Sequence, residues 1–133
     1  MVIADTSLWI EYFKGGSEPA RAGLRTLIRT EQVALVGVVV AELLQGCRSS
    51  DEADTILSHL TGLRFLDTSF ITWKRVGELS ASLRQKGVTL PLSDLIIGIL
   101  AIEHRCQVYT LDSHFKLIPG LRLYAPPRSP MAR

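Results

Sequence analysis

Four short strand-like runs, Met1 to Ala4, Val33 to Val36, Arg64 to Leu66 and Gln107 to Thr110, are each separated from the next by a helix-patterned stretch. This alternation constrains the chain more than any other feature. Short β-rich runs separated by gaps of this length cannot pair through tight hairpins. Strands joined through helices form a parallel sheet covered on both faces. The intervening patterns place helices over about Leu8–Lys14, Ser17–Thr30, Val38–Cys47, Asp51–Leu60, Ser69–Lys86 and Ser93–His104. Periodicity leaves one ambiguity, because the valines at 38–40 could instead prolong the strand before them. Leu121 to Tyr124 is a candidate fifth strand at an edge. The segment from Leu95 to Ile102 is apolar nearly all round, which puts its helix at the centre. The fold class is therefore α/β, with a central parallel sheet of four to five strands.

Length and composition fit one domain. The chain has 133 residues, of which 47% are hydrophobic, enough for a real core and too many for a disordered chain. The domain is expected to span residues 1–124. Residues 125–133, APPRSPMAR, read as a disordered Pro-rich basic tail. Fifteen basic against thirteen acidic residues give a net charge of +2, which permits a nucleic-acid partner without demanding one. Cys47 and Cys106 show neither CxxC nor zinc spacing and read as reduced thiols. No signal peptide or membrane span is visible, so a cytoplasmic location is expected.

Four acids stand where apolar runs end or begin: Asp5 in IADTS, Glu42 in VVVAELLQG, Asp94 in PLSDLIIG and Asp112 in YTLDSHF. Each has a structural reading. Asp5 could cap a helix, though Thr6 or Ser7 could do so without it. Glu42 could lie on a solvated face, but its neighbours are almost all apolar. Asp94 fits the first turn of a helix capped by Ser93, where an acid complements the helix dipole. Asp112 could form an Asx turn. Taken together they point elsewhere. In open parallel sheets ligands bind beyond the carboxyl ends of the strands, where strand order reverses. If the first and fourth strands are neighbours there, Asp5 and Asp112 face one crevice. Crowded carboxylates repel unless a cation neutralises them. Mg²⁺ and Mn²⁺ favour such oxygen donors, and they can activate water and stabilise the charge developing on a phosphate.

With these residues assembled, the chain resembles the PIN-domain family, and within it the VapC-type toxins of prokaryotic toxin–antitoxin pairs. Ile3-Ala4-Asp5-Thr6-Ser7 is the most recognisable motif. Ala41-Glu42-Leu43 with Gly46, Asp94 with Ile97 and Ala101, and Thr110-Leu111-Asp112 with Phe115 follow in order. The resemblance implies an α/β/α sandwich and a Mg²⁺- or Mn²⁺-dependent endoribonuclease. Asp5, Glu42, Asp94 and Asp112 would be metal ligands, with Thr6, Ser7 and Thr110 as supporting hydroxyls. It also implies an RNA substrate, a cognate antitoxin and a homodimer. Asp5 and Asp94 carry the most weight, then Glu42, while Asp112 is expected to act indirectly or through water.

The chain departs from the pattern at three places. Gly37 and valines precede the second acid where Ser or Thr is frequent, Gly98 stands where Ala is frequent, and His114 stands where some relatives carry a further acid. The last favours one ion over two. His114 could touch the site but reads first as a turn residue. Trp9, Tyr12 and Phe13 crowd the first helix on too many sides for one buried stripe, so part of that group is expected to dock an antitoxin or a second subunit. Lys14, Arg48 and Lys116 could reach RNA phosphates, but ordinary solvated charge explains them. The rival readings are a catalytically silent binding protein of the same fold and a housekeeping RNA-processing nuclease. A phosphoacceptor receiver would need paired acids after the first strand. A nucleotide-binding protein would need GxxxxGK[ST] or GxGxxG, and neither is present.

Overall fold

In the computed structural model, which describes residues 1–127, helices alternate with strands along the whole chain. The order is β1 (Val2–Ala4), α1 (Thr6–Lys14), α2 (Glu18–Arg29), β2 (Val33–Val36), α3 (Gly37–Gln45), α4 (Ser50–Leu60), β3 (Arg64–Leu66), α5 (Phe70–Gln85), α6 (Leu92–Glu103) and β4 (Gln107–Tyr109). A 3-10 turn over Ser113–Leu117 follows β4. The valines at 38–40 lie in α3, so the ambiguity resolves as helix.

All strand pairs are parallel, in the order β3-β2-β1-β4. The chain steps outward from β1 to β2 to β3, then crosses back to lay β4 on the other side of β1. That reversal opens a crevice at the carboxyl ends of β1 and β4. Ile3 and Val108 face each other in the ladder, and both are fully buried. The fifth strand does not form. Leu121–Tyr124 reduces to one bridge, Val108 to Leu123. Val108 N–H donates to Arg122 O at 3.0 Å, and Tyr124 N–H donates to Val108 O at 2.8 Å.

Helices cover both faces of the sheet, giving the α/β/α sandwich. Every residue of α6 from Leu95 to Ala101 is buried, as its all-round apolar pattern requires. Trp9 is fully buried and stacks on Phe13, while Tyr12 and Phe13 close edge-on against His59. The aromatic group of α1 is thus mainly packing, and Ile10 is its exposed apolar residue. The larger exposed apolar surface lies instead at Phe65, Phe70, Ile71 and Trp73, along β3 and the start of α5. α5 turns Val76 and Leu83 inward and leaves Ile71 and Trp73 outside. Gly98 has a packing reason: a Cβ there would stand 2.7 Å from Ile118 Cδ1, beneath the 3-10 turn. Both cysteines are free, Cys106 buried and Cys47 half-buried. No helix among the described residues is long and apolar enough to cross a membrane. Of the Pro-rich tail, residues 128–133 lie outside the described residues.

The carboxyl-terminal stretch is locked against α2. Tyr109 Oη donates to Ala20 O at 3.0 Å, and Tyr124 packs edge-on to the Tyr109 ring. A Cβ on Gly23 would stand 2.5 Å from that hydroxyl and 3.1 Å from Pro126 Cβ. Gly23→Ala is therefore expected to destabilise the protein by about 1–2 kcal/mol, because overpacking outweighs the roughly 1 kcal/mol gained in helix propensity. Chemical denaturation checks this. An unchanged midpoint would mean that Tyr109 swings clear at no cost.

Candidate metal centre

Asp5 is the first residue past β1. Its N–H donates to Tyr109 O at 3.0 Å, which carries the β1–β4 ladder one step further. The carboxylate then turns over the start of α1. Oδ1 accepts from Leu8 N at 3.3 Å and from Ser7 Oγ at 2.6 Å, while Oδ2 accepts from Thr110 Oγ1. Asp5 is only 5% exposed. Burial pushes its carboxyl above the ordinary 3.8, and the hydrogen bonds, led by Ser7 and Thr110, pull it partly back. Asp5 itself, of the three capping side chains the sequence offers here, is thus the N-cap of α1. The Thr6 and Ser7 hydroxyls are committed elsewhere.

Two hydroxyls join the strand ends. Ser7 Oγ donates to Asp5 and accepts from Leu111 N at 3.1 Å. Thr110 Oγ1 donates to Asp5 and accepts from Asp112 N at 2.9 Å. Each hydroxyl has one proton and spends it on the carboxylate, so the loop after β4 is fixed relative to Asp5. Thr110→Val would strip a donor from Asp5 and an acceptor from Asp112 N. The expected result is about 1–2 kcal/mol lower stability and roughly tenfold weaker divalent-cation binding. Thermal melts and Mn²⁺ titration read the two effects separately.

Asp94 enters from α6. The helix begins after Pro91 with no side-chain cap, so Ser93 is not the cap its sequence position indicates. Among the described residues no hydrogen bond reaches the Asp94 carboxylate, which leaves both oxygens uncommitted to the helix. Its carboxyl is pushed above the ordinary value, first by burial, then by the charges of Asp112 and Asp5, with His114 opposing. Asp112 caps the 3-10 turn through His114 N, which donates to Oδ1 at 2.9 Å. His114 Nδ1 lies 3.2 Å from that same oxygen and 3.7 Å from Asp94 Oδ2. Asp94, Asp112 and His114 each offer a donor atom within 4.8 Å of the others.

Glu42 is placed differently. It lies on α3, half-buried, and Oε1 accepts from Thr6 Oγ1 at 2.7 Å. Thr6 links it to the segment beside Asp5, but Glu42 stands outside the close group of Asp94, Asp112 and His114. Sequence reasoning ranked Glu42 above Asp112; in the fold Asp112 lies beside Asp94 and His114, and Glu42 is held by Thr6. That reasoning also set His114 aside. The only signal in its favour was its place two residues after Asp112.

The donor set suits a hard divalent cation. Carboxylate oxygens prefer such ions, and no Lys or Arg among the described residues comes within ion-pair distance of Asp5, Asp94 or Asp112. Two of the acids are held above their ordinary pKa by burial, a cost that a cation would offset.

A parallel α/β sheet with carboxylates collected at its switch point defines a candidate acidic nuclease-type centre. Comparison with known proteins gives the family. The PIN domain model matches residues 2–121, and the chain belongs to the PIN-domain family. It is similar to the VapC ribonuclease Mb1587 of Mycobacterium bovis, with 27% identity across 89% of this chain and 91% of that protein. Ribonuclease VapC11 of Mycobacterium tuberculosis matches to the same extent. Among solved structures, VapBC2 from Rickettsia felis bound to a promoter DNA fragment aligns with a TM-score of 0.78 and 25% identity, covering 93% of this chain and 98% of that one. The sarcin–ricin loop cleaving toxin VapC20 of Mycobacterium tuberculosis shares the fold, with a TM-score of 0.71 and 16% identity over 96% of this chain and 100% of that one.

Proposed function

We propose that residues 1–124 form a divalent-cation-dependent endoribonuclease, the toxin of a toxin–antitoxin pair, acting on RNA phosphodiesters. The observation that carries this reading is the grouping of Asp94, Asp112 and His114 near Asp5 at the β1–β4 switch point, with no Lys or Arg among the described residues within ion-pair distance of the three acids. Mg²⁺ or Mn²⁺, when bound, supplies positive charge for the phosphate and activates the attacking water.

The chain's own residues supply position. Asp5 Oδ2 keeps a lone pair beyond its bond to Thr110, and Asp94 brings a carboxylate whose Oδ2 faces His114 Nδ1 at 3.7 Å. Ser7 and Thr110 hold the two strand-end loops in register, which fixes the separation of the carboxylates. Thr6 orients Glu42 at the flank, where it can act on water or on the RNA without joining the close group. The crevice is open and acidic. A bound cation reverses that sign locally, and flexible single-stranded or loop RNA can bend into it.

The VapC relatives are named ribonucleases, and several structural neighbours are toxin–antitoxin complexes. By analogy this chain acts as a homodimer restrained by a cognate antitoxin. The test is cleavage of single-stranded RNA by purified protein with Mg²⁺ or Mn²⁺, with excess EDTA, and with Asp94→Asn. Cleavage is expected only in the first case. Equal cleavage in all three would sink the mechanism.

A further inference from the structure

We propose that His114 is a nitrogen ligand of the cation centre, so that this site favours Mn²⁺ over Mg²⁺. The proposal rests on the reading of the acidic cluster as a cation site and goes beyond it by naming a donor and a selectivity.

The placement of the imidazole carries the inference. His114 lies in the 3-10 turn just past β4, and the next residue, Phe115, is buried in the core. The turn is pinned on both sides. Thr110 Oγ1 accepts from Asp112 N, and Asp112 Oδ1 accepts from His114 N. With Phe115 turned inward, the ring of His114 folds back over the crevice, and its Nδ1 reaches two carboxylates from different elements. It lies 3.2 Å from Asp112 Oδ1 and 3.7 Å from Asp94 Oδ2. With metal–donor bonds of about 2.1 Å, neighbouring donors of an octahedron stand about 3.0 Å apart. Nδ1 thus stands near the spacing of donors sharing one ion from both oxygens, and the three donor atoms lie within 4.8 Å of one another. An ordinary surface ion pair would need only one of these carboxylates.

The donor type sets the preference. Mg²⁺ is bound through carboxylates and water and gains little from an imidazole. Transition-metal ions gain more from a nitrogen donor. A site with carboxylates and one imidazole therefore discriminates against Mg²⁺ more than an all-oxygen site would. The neutral ring would bind through Nδ1 with its proton on Nε2.

The test uses Mn²⁺ as the probe, because its electron spin reports a bound nitrogen directly. Pulsed electron paramagnetic resonance of the full chain with one equivalent of Mn²⁺ is expected to show ¹⁴N coupling that is lost in both His114→Ala and His114→Asp. In calorimetric titration, His114→Ala is expected to weaken Mn²⁺ about tenfold and Mg²⁺ about threefold or less. His114→Asp is expected to bring the two affinities together. Circular dichroism verifies that both variants fold. Mn²⁺ bound at a site sensitive to Asp94→Asn but showing no ¹⁴N coupling overturns the nitrogen ligand and leaves the proposed function standing. Coupling that persists in His114→Ala assigns the nitrogen to His59 or His104 and also overturns the proposal. Failure of Mn²⁺ to bind at any site sensitive to Asp94→Asn overturns the cation centre itself.

Discussion

Asp5→Asn is expected to lower RNA cleavage by about 10²–10³-fold, roughly 3–4 kcal/mol in the barrier, while leaving the fold intact. The change is nearly isosteric. The amide oxygen can still accept from Ser7 Oγ and Leu8 N, as Oδ1 does now. The amide nitrogen would face Thr110 Oγ1, which has a second lone pair to offer beyond the one used by Asp112 N. What disappears is a buried negative charge near Asp94. Because burial is the largest influence on this carboxyl and acts against its charged form, removing the charge relieves a cost. At neutral pH without divalent cation, Asp5→Asn is expected to melt no lower than the parent. Cleavage assays and melts in EDTA test the two halves together. Loss of activity together with a large fall in melting temperature would mean that Asp5 serves α1 as a cap and nothing more.

Asp5 also shows how far the sequence could be read. The β/α alternation was enough to derive a parallel sheet and the position of each element, because strand length and helix periodicity are local properties. The strand order was not derivable from pattern alone. It became specific only through the condition that the first and fourth strands be neighbours, which the β3-β2-β1-β4 order satisfies. The acids were found by position, but the capping around two of them was not. Asp94 read as an ordinary first-turn acid behind a Ser93 cap. In the fold Pro91 is the N-cap, Ser93 makes no capping bond, and the Asp94 carboxylate faces Asp112 and His114. For Asp5 the sequence left the cap open among Asp5, Thr6 and Ser7, and the fold gives it to Asp5.

The reason is physical. Capping is decided by which side chain the backbone turn presents to the first amides, and partners distant in sequence draw competing hydroxyls away. Thr6 is taken by Glu42 and Ser7 by Asp5 and Leu111. The same limit hid His114, whose two carboxylate neighbours come from α6 and from the end of β4. Leu121–Tyr124 makes one parallel bridge, with Val108, and Pro126 then lies against Gly23 of α2, so the pairing is not extended into a strand.

The raised carboxyls make the stability of the metal-free protein depend on pH, and the sign is fixed by linkage. Asp5 and Asp94 both titrate above their ordinary 3.8 in the folded state. Between that value and their folded values, the folded chain holds more protons than the unfolded one. Their contribution to stability is therefore fully present below pH 3.8 and is lost as pH rises through the folded values. In EDTA, these two groups are expected to lower the melting temperature as pH rises from about 4 toward neutrality, and Asp94→Asn flattens that slope. Divalent cation reverses the trend, since it binds the deprotonated carboxylates. At about one hundred times its dissociation constant, Mn²⁺ or Mg²⁺ is expected to add about 2.7 kcal/mol at neutral pH. The gain shrinks toward pH 4 and is largely absent in Asp94→Asn. Melts across this range with EDTA or cation measure it without any RNA. A cation effect independent of pH, or one retained in Asp94→Asn, would place the ion outside the crevice. If instead the gain follows both variables, the burial cost of Asp5 and Asp94 is what keeps the centre receptive. A cluster already satisfied by basic side chains would have little free energy left to gain from an ion.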